Sequence, residues 1–193
     1  MRRMLALPLL LLASSAAAQR TPSLAVAADV GPAFPLGDFA DDGAETGWGV
    51  GVSATVRLTR LLGVYGSYER TSFDVEGRGD DAWTDTGMGV GVRVWFPAAE
   101  RARLHPWAQL GVGWHDLDRP LGAEFAELDT DGIRTLEGGA GVDVALVRQV
   151  LFLRPAIRYR TYSFEVDLGG ETAETSASHL TLALGVMAVV PLR

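Results

Sequence analysis

The chain of 193 residues has no cysteine, which excludes a disulfide framework, a thiolate metal site and a cysteine nucleophile. It has no lysine either; all 17 basic residues are arginine, an absence that carries no functional weight. Histidine is scarce, and two of the three, His105 and His115, fall near opposite ends of one candidate strand, too far apart to share a metal. Beyond residue 19 there is no apolar run of the ~20 residues that a membrane-spanning helix needs, and no helical periodicity. A phosphate-binding glycine loop is also missing, because the glycines of GWGVGV and GMGVGV alternate with apolar residues inside strands and open no helix. The formal charge of −7 argues against nucleic acid as a partner. No catalytic residue, cofactor or metal site is expected.

Residues 1–18, MRRMLALPLLLLASSAAA, have Arg2 and Arg3, an apolar run from Met4 to Ala13 and a small-residue end at Ala16-Ala17-Ala18, the three-part layout of a secretory signal peptide. The apolar run contains Pro8 and is too short to span a membrane as a helix. Cleavage after Ala18 is expected, leaving one domain over residues 19–193 with a formal charge of −9.

What the chain has in abundance is alternation of period two, the mark of strands with one apolar face. In TGWGVGVSATVRLT, Trp48, Val50, Val52, Ala54, Val56 and Leu58 oppose Gly47, Gly49, Gly51, Ser53, Thr55 and Arg57. The stretch TGMGVGVRVWF repeats this, with Met88, Val90, Val92, Val94 and Phe96 opposite Gly87, Gly89, Gly91, Arg93 and Trp95. Leu24, Val26, Ala28 and Val30 form an earlier set; Val64, Gly66 and Tyr68 oppose Tyr65, Ser67 and Glu69 in a weaker one. Further on, Ala108, Leu110, Val112 and Trp114 oppose Gln109, Gly111, Gly113 and His115, and Leu136, Ala140, Val142, Val144 and Leu146 oppose Glu137, Gly139, Gly141 and Asp143. Leu151, Leu153, Ile157 and Tyr159 oppose Arg154, Arg158 and Arg160, and the last set is Leu180, Leu182, Leu184, Val186 and Val190. Eight amphipathic strands of roughly 9–11 residues suit an all-β, closed, antiparallel, up-and-down transmembrane barrel.

Connections alternate in length: short near 59–62, 97–103 and 147–150, long near 35–46, 74–85, 116–133 and 165–178. The long ones hold 19 of the 24 acidic residues against only Arg78 and Arg119. Short turns at one end and long loops at the other are the asymmetry of an outer-membrane barrel. Asp129-Thr130-Asp131-Gly132 resembles the opening of a calcium loop without its later ligands. Weak divalent-cation binding at the acidic loops is the expectation, and calorimetry without heat at millimolar calcium would remove it.

A soluble ligand-binding barrel of the lipocalin type would alternate identically with its apolar face inside. Three observations favour apolar outside, one of them the export signal at residues 1–18, which places the chain where such a barrel belongs. Glycine crowds the other face, where it weakens a water-facing strand but relieves crowding inside a narrow barrel. The charges on that face also pair by register. With the turn centred on Arg148 and Gln149, opposite residues sum to 297, so that Asp143 meets Arg154 and Glu137 meets Arg160, while Val144 meets Leu153 and Leu146 meets Leu151. The inward polar set is then Arg57, Glu69, Arg93, Glu137, Asp143, Arg154, Arg158 and Arg160, with an excess of two positive charges that would favour anions in a wet lumen. A salt-bridged, closed lumen is the expectation. The lipid-facing stripe is Trp48, Val50 and Val52, then Val90, Val92 and Val94, Leu110 and Val112, Val142 and Val144, Leu151 and Leu153, and Leu182, Leu184 and Val186, with Trp48 near an interfacial aromatic belt.

VGPAFPLGDF at 30–39, GVGVSATVRLT into VYGSYER, HPWAQLGVGW at 105–114 and GGAGVDVALVR into LRPAIRYR resemble the small eight-stranded outer-membrane barrels of the OmpA/OmpX type over essentially the whole mature chain. The resemblance implies an integral outer-membrane protein with a structural or surface-interaction role, surrounded by outer-membrane lipid, inserted by the barrel assembly machinery and monomeric. Such barrels usually end on an aromatic residue, where this chain has Leu192. Alternatives are a narrow pore or transporter for small solutes, separable by single-channel conductance, and a lipid A-modifying enzyme. For the latter the only echo is His179-Leu180-Thr181, with Thr where such a family shows Ser; His179 reads as a rim residue.

Overall fold

The structure, a computed structural model, describes residues 23–41, 43–75, 78–97, 103–118, 133–147, 150–167 and 172–192. The segment read as a signal peptide and the Asp129–Gly132 stretch lie outside them. Eight strands follow in order: β1 (Ser23–Leu36), β2 (Gly47–Arg57), β3 (Leu62–Val75), β4 (Arg78–Trp95), β5 (Leu104–Asp118), β6 (Ile133–Val147), β7 (Leu151–Asp167) and β8 (Thr172–Pro191), with one helical turn α1 (Asp38–Asp41) between β1 and β2. Each strand pairs antiparallel with the next, and β8 returns to β1, closing the barrel. Closure gives every strand a hydrogen-bonded neighbour on both sides and leaves no edge strand.

The β2–β3 turn is closed by a side chain: Thr59 Oγ1 accepts from the amides of Leu61, at 3.2 Å, and Leu62, at 2.9 Å. At the other end two of the expected long loops are largely paired strand. β3 and β4 stay hydrogen-bonded out to Val75↔Arg78, and β7 and β8 out to Asp167↔Thr172. Their polarity is that of strands rising above the apolar band into water, where side-chain character no longer marks the end of pairing. α1 is bracketed by Gly37 at φ 57° and Gly43 at φ 86°, left-handed values that favour glycine. These turns set Phe39 into the barrel mouth, edge-on to Phe73 at 5.0 Å and Trp83 at 5.7 Å. Ala33, Leu117, Ile133, Tyr162 and Ala177 complete this apolar cap, and a smaller cluster of Ala25, Ala27, Phe152 and Met187 lies at the turn end.

The β6–β7 register keeps the sum of 297 from Thr135↔Tyr162 through Glu137↔Arg160 to Ala145↔Phe152. It then slips at a bulge, so Leu151 pairs with Val147 and not with Leu146. One extra residue is absorbed just before the turn, a common way to bend a strand into a connection. At the β1–β8 seam no rung is made between Val30↔Leu184 and Ala33↔Thr181, where Pro32 has no N–H to give. There Gly31 lies so close to β8 that a Cβ would collide with the Leu182 carbonyl oxygen.

Candidate functional site

The non-apolar face of every strand points into the lumen, and glycine makes room there for the larger groups. A Cβ on Gly89 would strike Glu137, one on Gly111 the Tyr65 hydroxyl, and one on Gly141 would come within 2.5 Å of Trp107. Into this space the strands deliver a layered polar network. Beneath the apolar cap, Asp85 of β4 meets His115 Nδ1 of β5 at 2.7 Å, accepts from Arg160 Nη1 at 2.9 Å and accepts from the Tyr162 hydroxyl. His179 Nδ1 lies 3.4 Å from that hydroxyl. One layer down, Arg160 Nη2 reaches Glu69 at 2.5 Å and Glu137 at 3.3 Å. Arg158 bridges Glu69 at 2.5 Å and Asp29 at 2.6 Å.

Nearer the turn end, Asp143 lies 3.6 Å from Arg154 Nε and accepts from Trp95 Nε1 at 3.1 Å. Arg93 donates to Gln109, with Nη2 at 2.5 Å, and to Thr55 at 3.2 Å. Both Arg93 and Arg154 stack on Trp107, at 4.4 and 4.6 Å from its ring, and Arg57 stacks on Trp95 at 3.9 Å. Aromatic faces offset part of the cost of guanidinium groups held out of water.

All eight residues of the expected inward set thus line the lumen, in two groups: Glu69, Glu137, Arg158 and Arg160 around one hub, and Asp143, Arg154, Arg93 and Arg57 below it. Two carboxylates join them that the sequence reading left out, Asp29 and Asp85. Asp29 occupies the inward parity of β1 and was legible; Asp85 was placed in a loop because the length of β4 was underestimated. The excess of two positive charges is therefore corrected: five arginines face five carboxylates, and an anion-favouring lumen has no electrostatic basis. His179 is also not a rim residue. It is 2% exposed and points inward, because it shares the inward parity of Ala177 and Ala183 on β8.

The His115–Asp85 pair has two members of a nucleophile-activating relay, and His115 Nε2 has no hydrogen-bond partner among the described residues. No group of three or more metal-ligating side chains occurs among the described residues.

The outer face is apolar. Trp48, Val50, Val52, Val90, Val92, Val94, Leu110, Val112, Leu182, Leu184 and Val186 are exposed there, Trp48 at 63%, while Val142, Val144, Leu151 and Leu153 lie half-buried on the same face. Tyr68, Trp114 and Tyr159 join Trp48 toward the end that carries the long connections. A family model described as outer membrane protein beta-barrel domain matches residues 4–187. The chain belongs to that family. Its members are proteins of the bacterial outer membrane, and this barrel is one of them; in such barrels the outward apolar band faces hydrocarbon. A soluble barrel is thereby excluded.

Among solved structures, Neisserial surface protein A is similar at 17% identity, with a TM-score of 0.63, over 86% of this chain and 96% of that one. OprG from Pseudomonas aeruginosa follows at 13% identity and a TM-score of 0.57, over 90% and 98%. Ail of Yersinia pestis, solved with the heparin analogue sucrose octasulfate, gives 14% and 0.52, over 89% and 100%. These likenesses are of fold. No curated protein matches the chain.

Proposed function

We propose that this outer-membrane barrel has a closed lumen, carries out no catalysis and serves a structural or surface-interaction role as a monomer. The observation that carries this reading is the filled lumen: five arginines and five carboxylates, with Trp107, Trp95 and Tyr65 between them, occupy the cross-section from the apolar cap to the turn end. A conducting path would have to pass every layer, and opening one means separating paired charges in a confined space. Absence of catalysis is supported by His179, which faces the lumen and cannot present a nucleophile to lipid.

The surface role falls to the end that carries the long connections. Ail binds a sulfated polyanion in its solved complex; here 18 of the 19 acidic residues of those connections, all but the lumen-facing Asp85, stand against two arginines and would repel such a ligand. Partners at this end are therefore expected to be cationic or bridged by divalent ions. The test is conductance in planar bilayers in molar potassium chloride, on protein whose folding is confirmed by a heat-modifiable shift on a denaturing gel. Folded protein without discrete current steps supports the reading. Regular ohmic steps that track protein concentration would replace it with a narrow pore.

A further inference from the structure

The outer face is not evenly covered. Gly66 points outward on β3 between Val64 and Tyr68, and Ala54 is its partner on β2. A Cβ at Gly66 would meet nothing nearer than the Gly89 carbonyl oxygen at 3.8 Å. The missing side chains leave a groove of about 490 Å³ across the face of β1 to β5, floored by Ala54 and Gly66 and walled by Tyr68, Met88 and Trp114.

Two arginines stand at its upper border. Arg70 is the next outward residue after Tyr68 on β3, and Arg134 is the β6 partner of Trp114. Both are exposed, and neither makes an ion pair or hydrogen bond among the described residues. Asp116, in the same row as Arg70 two strands away, has an interaction of its own. The other exposed arginines among the described residues, Arg60 and Arg103, lie at the turn end. Arg70 sits eight residues above Leu62, a rise of about 20 Å for a tilted strand, close to the upper limit of an apolar band ~25 Å tall.

We propose that this groove seats one lipid of the outer leaflet that bears two phosphates, an acyl chain lying on Ala54 and Gly66, one phosphate on Arg70 and the other on Arg134, three strands or about 14 Å away around the barrel. Guanidinium groups bind phosphate oxygens through paired N–H donors, and here they sit at headgroup depth beside aromatic rings, at the end of a chain whose loops otherwise repel anions. The seat lies on the outer face and is independent of whether the lumen conducts.

The test is native mass spectrometry of the full-length protein purified from outer membranes, titrated with lipid A, with dephosphorylated lipid A and with inorganic phosphate. The expected result is a one-to-one complex with lipid A. Binding should weaken at least tenfold for the Arg70→Gln/Arg134→Gln double variant, for Gly66→Leu, which fills the groove, and for dephosphorylated lipid A. Gly66→Leu projects into open space and should retain the heat-modifiable fold, which is checked alongside. Unchanged affinity in either variant overturns the proposal. So does competition by inorganic phosphate at equal concentration, which would mean an adventitious ion only.

Discussion

Replacing Arg160 by methionine removes the hub of the upper network while keeping most of the apolar stem. Three carboxylate oxygens lie within ion-pair distance of Arg160, on Glu69 at 2.5 Å, Asp85 at 2.9 Å and Glu137 at 3.3 Å, and the other oxygen of Glu69 lies 2.5 Å from Arg158. The acids do not suffer equally. Asp85 keeps His115 and Tyr162, and Glu69 keeps Arg158, whereas Glu137 is left with the Tyr65 hydroxyl at 3.4 Å. Only one carboxylate is orphaned, so the cost should fall at the lower end of the ~3–5 kcal/mol for breaking a buried ion pair, about 3 kcal/mol. Adding Glu137→Gln to Arg160→Met removes the orphaned charge and should return about 1–2 kcal/mol, a coupling of the size seen between contacting residues. Equilibrium unfolding in urea from phosphocholine vesicles, followed by tryptophan emission and by the heat-modifiable band, measures both. The reasoning is refuted if Arg160→Met lies within about 0.5 kcal/mol of wild type, or if Glu137→Gln makes the double variant worse by its full single-variant cost.

Gly31→Val should block the β1–β8 seam, because its Cβ would overlap the Leu182 carbonyl, and the heat-modifiable form should be lost from outer membranes; Gly66→Ala, facing open space, is the control that should assemble normally. Trp107→Ala removes the ring shared by Arg93 and Arg154 and should cost about 3–5 kcal/mol in the same urea experiment. Phe39→Ala empties the centre of the apolar cap and should cost about 3 kcal/mol, with no current appearing in planar bilayers because the ionic layers below it remain.

Alternation of side chains is a local property, and what depends on it was legible: eight strands, the inward parity of Arg93, Glu137 and Arg160, and the outward parity of Trp48 and Leu110. The β6–β7 register was legible too, because two ion pairs and an aliphatic pair had to agree on one sum; the bulge at Ala145–Val147 was not, since it changes no pattern until the last rung. Contacts across the lumen depend on how far each strand is sheared against its neighbour as the barrel closes, which no two-residue pattern encodes. Arg158 therefore could not be matched to Asp29, nor Asp85 to Arg160 and Tyr162. Polarity misled where strands leave the bilayer, as with Asp85 and the paired ends of β7 and β8. Phe39 gave no signal either, because the geometry that inserts it comes from Gly37 and Gly43 at either side of a single helical turn.

The pair Arg158–Asp29 joins β7 to β1 across the place where the sheet meets itself, with β8 between them. A sheet that had zipped from β2 through β7 but not yet met its first strand would hold this guanidinium without one of its two carboxylates, in an interior still open on one side. Completing the cylinder and giving this guanidinium its second carboxylate are thus one step. An open sheet is disfavoured twice over, by unpaired amides along its margins and by a stranded charge within, so the half-made barrel has little reason to linger between the unfolded chain and the finished one.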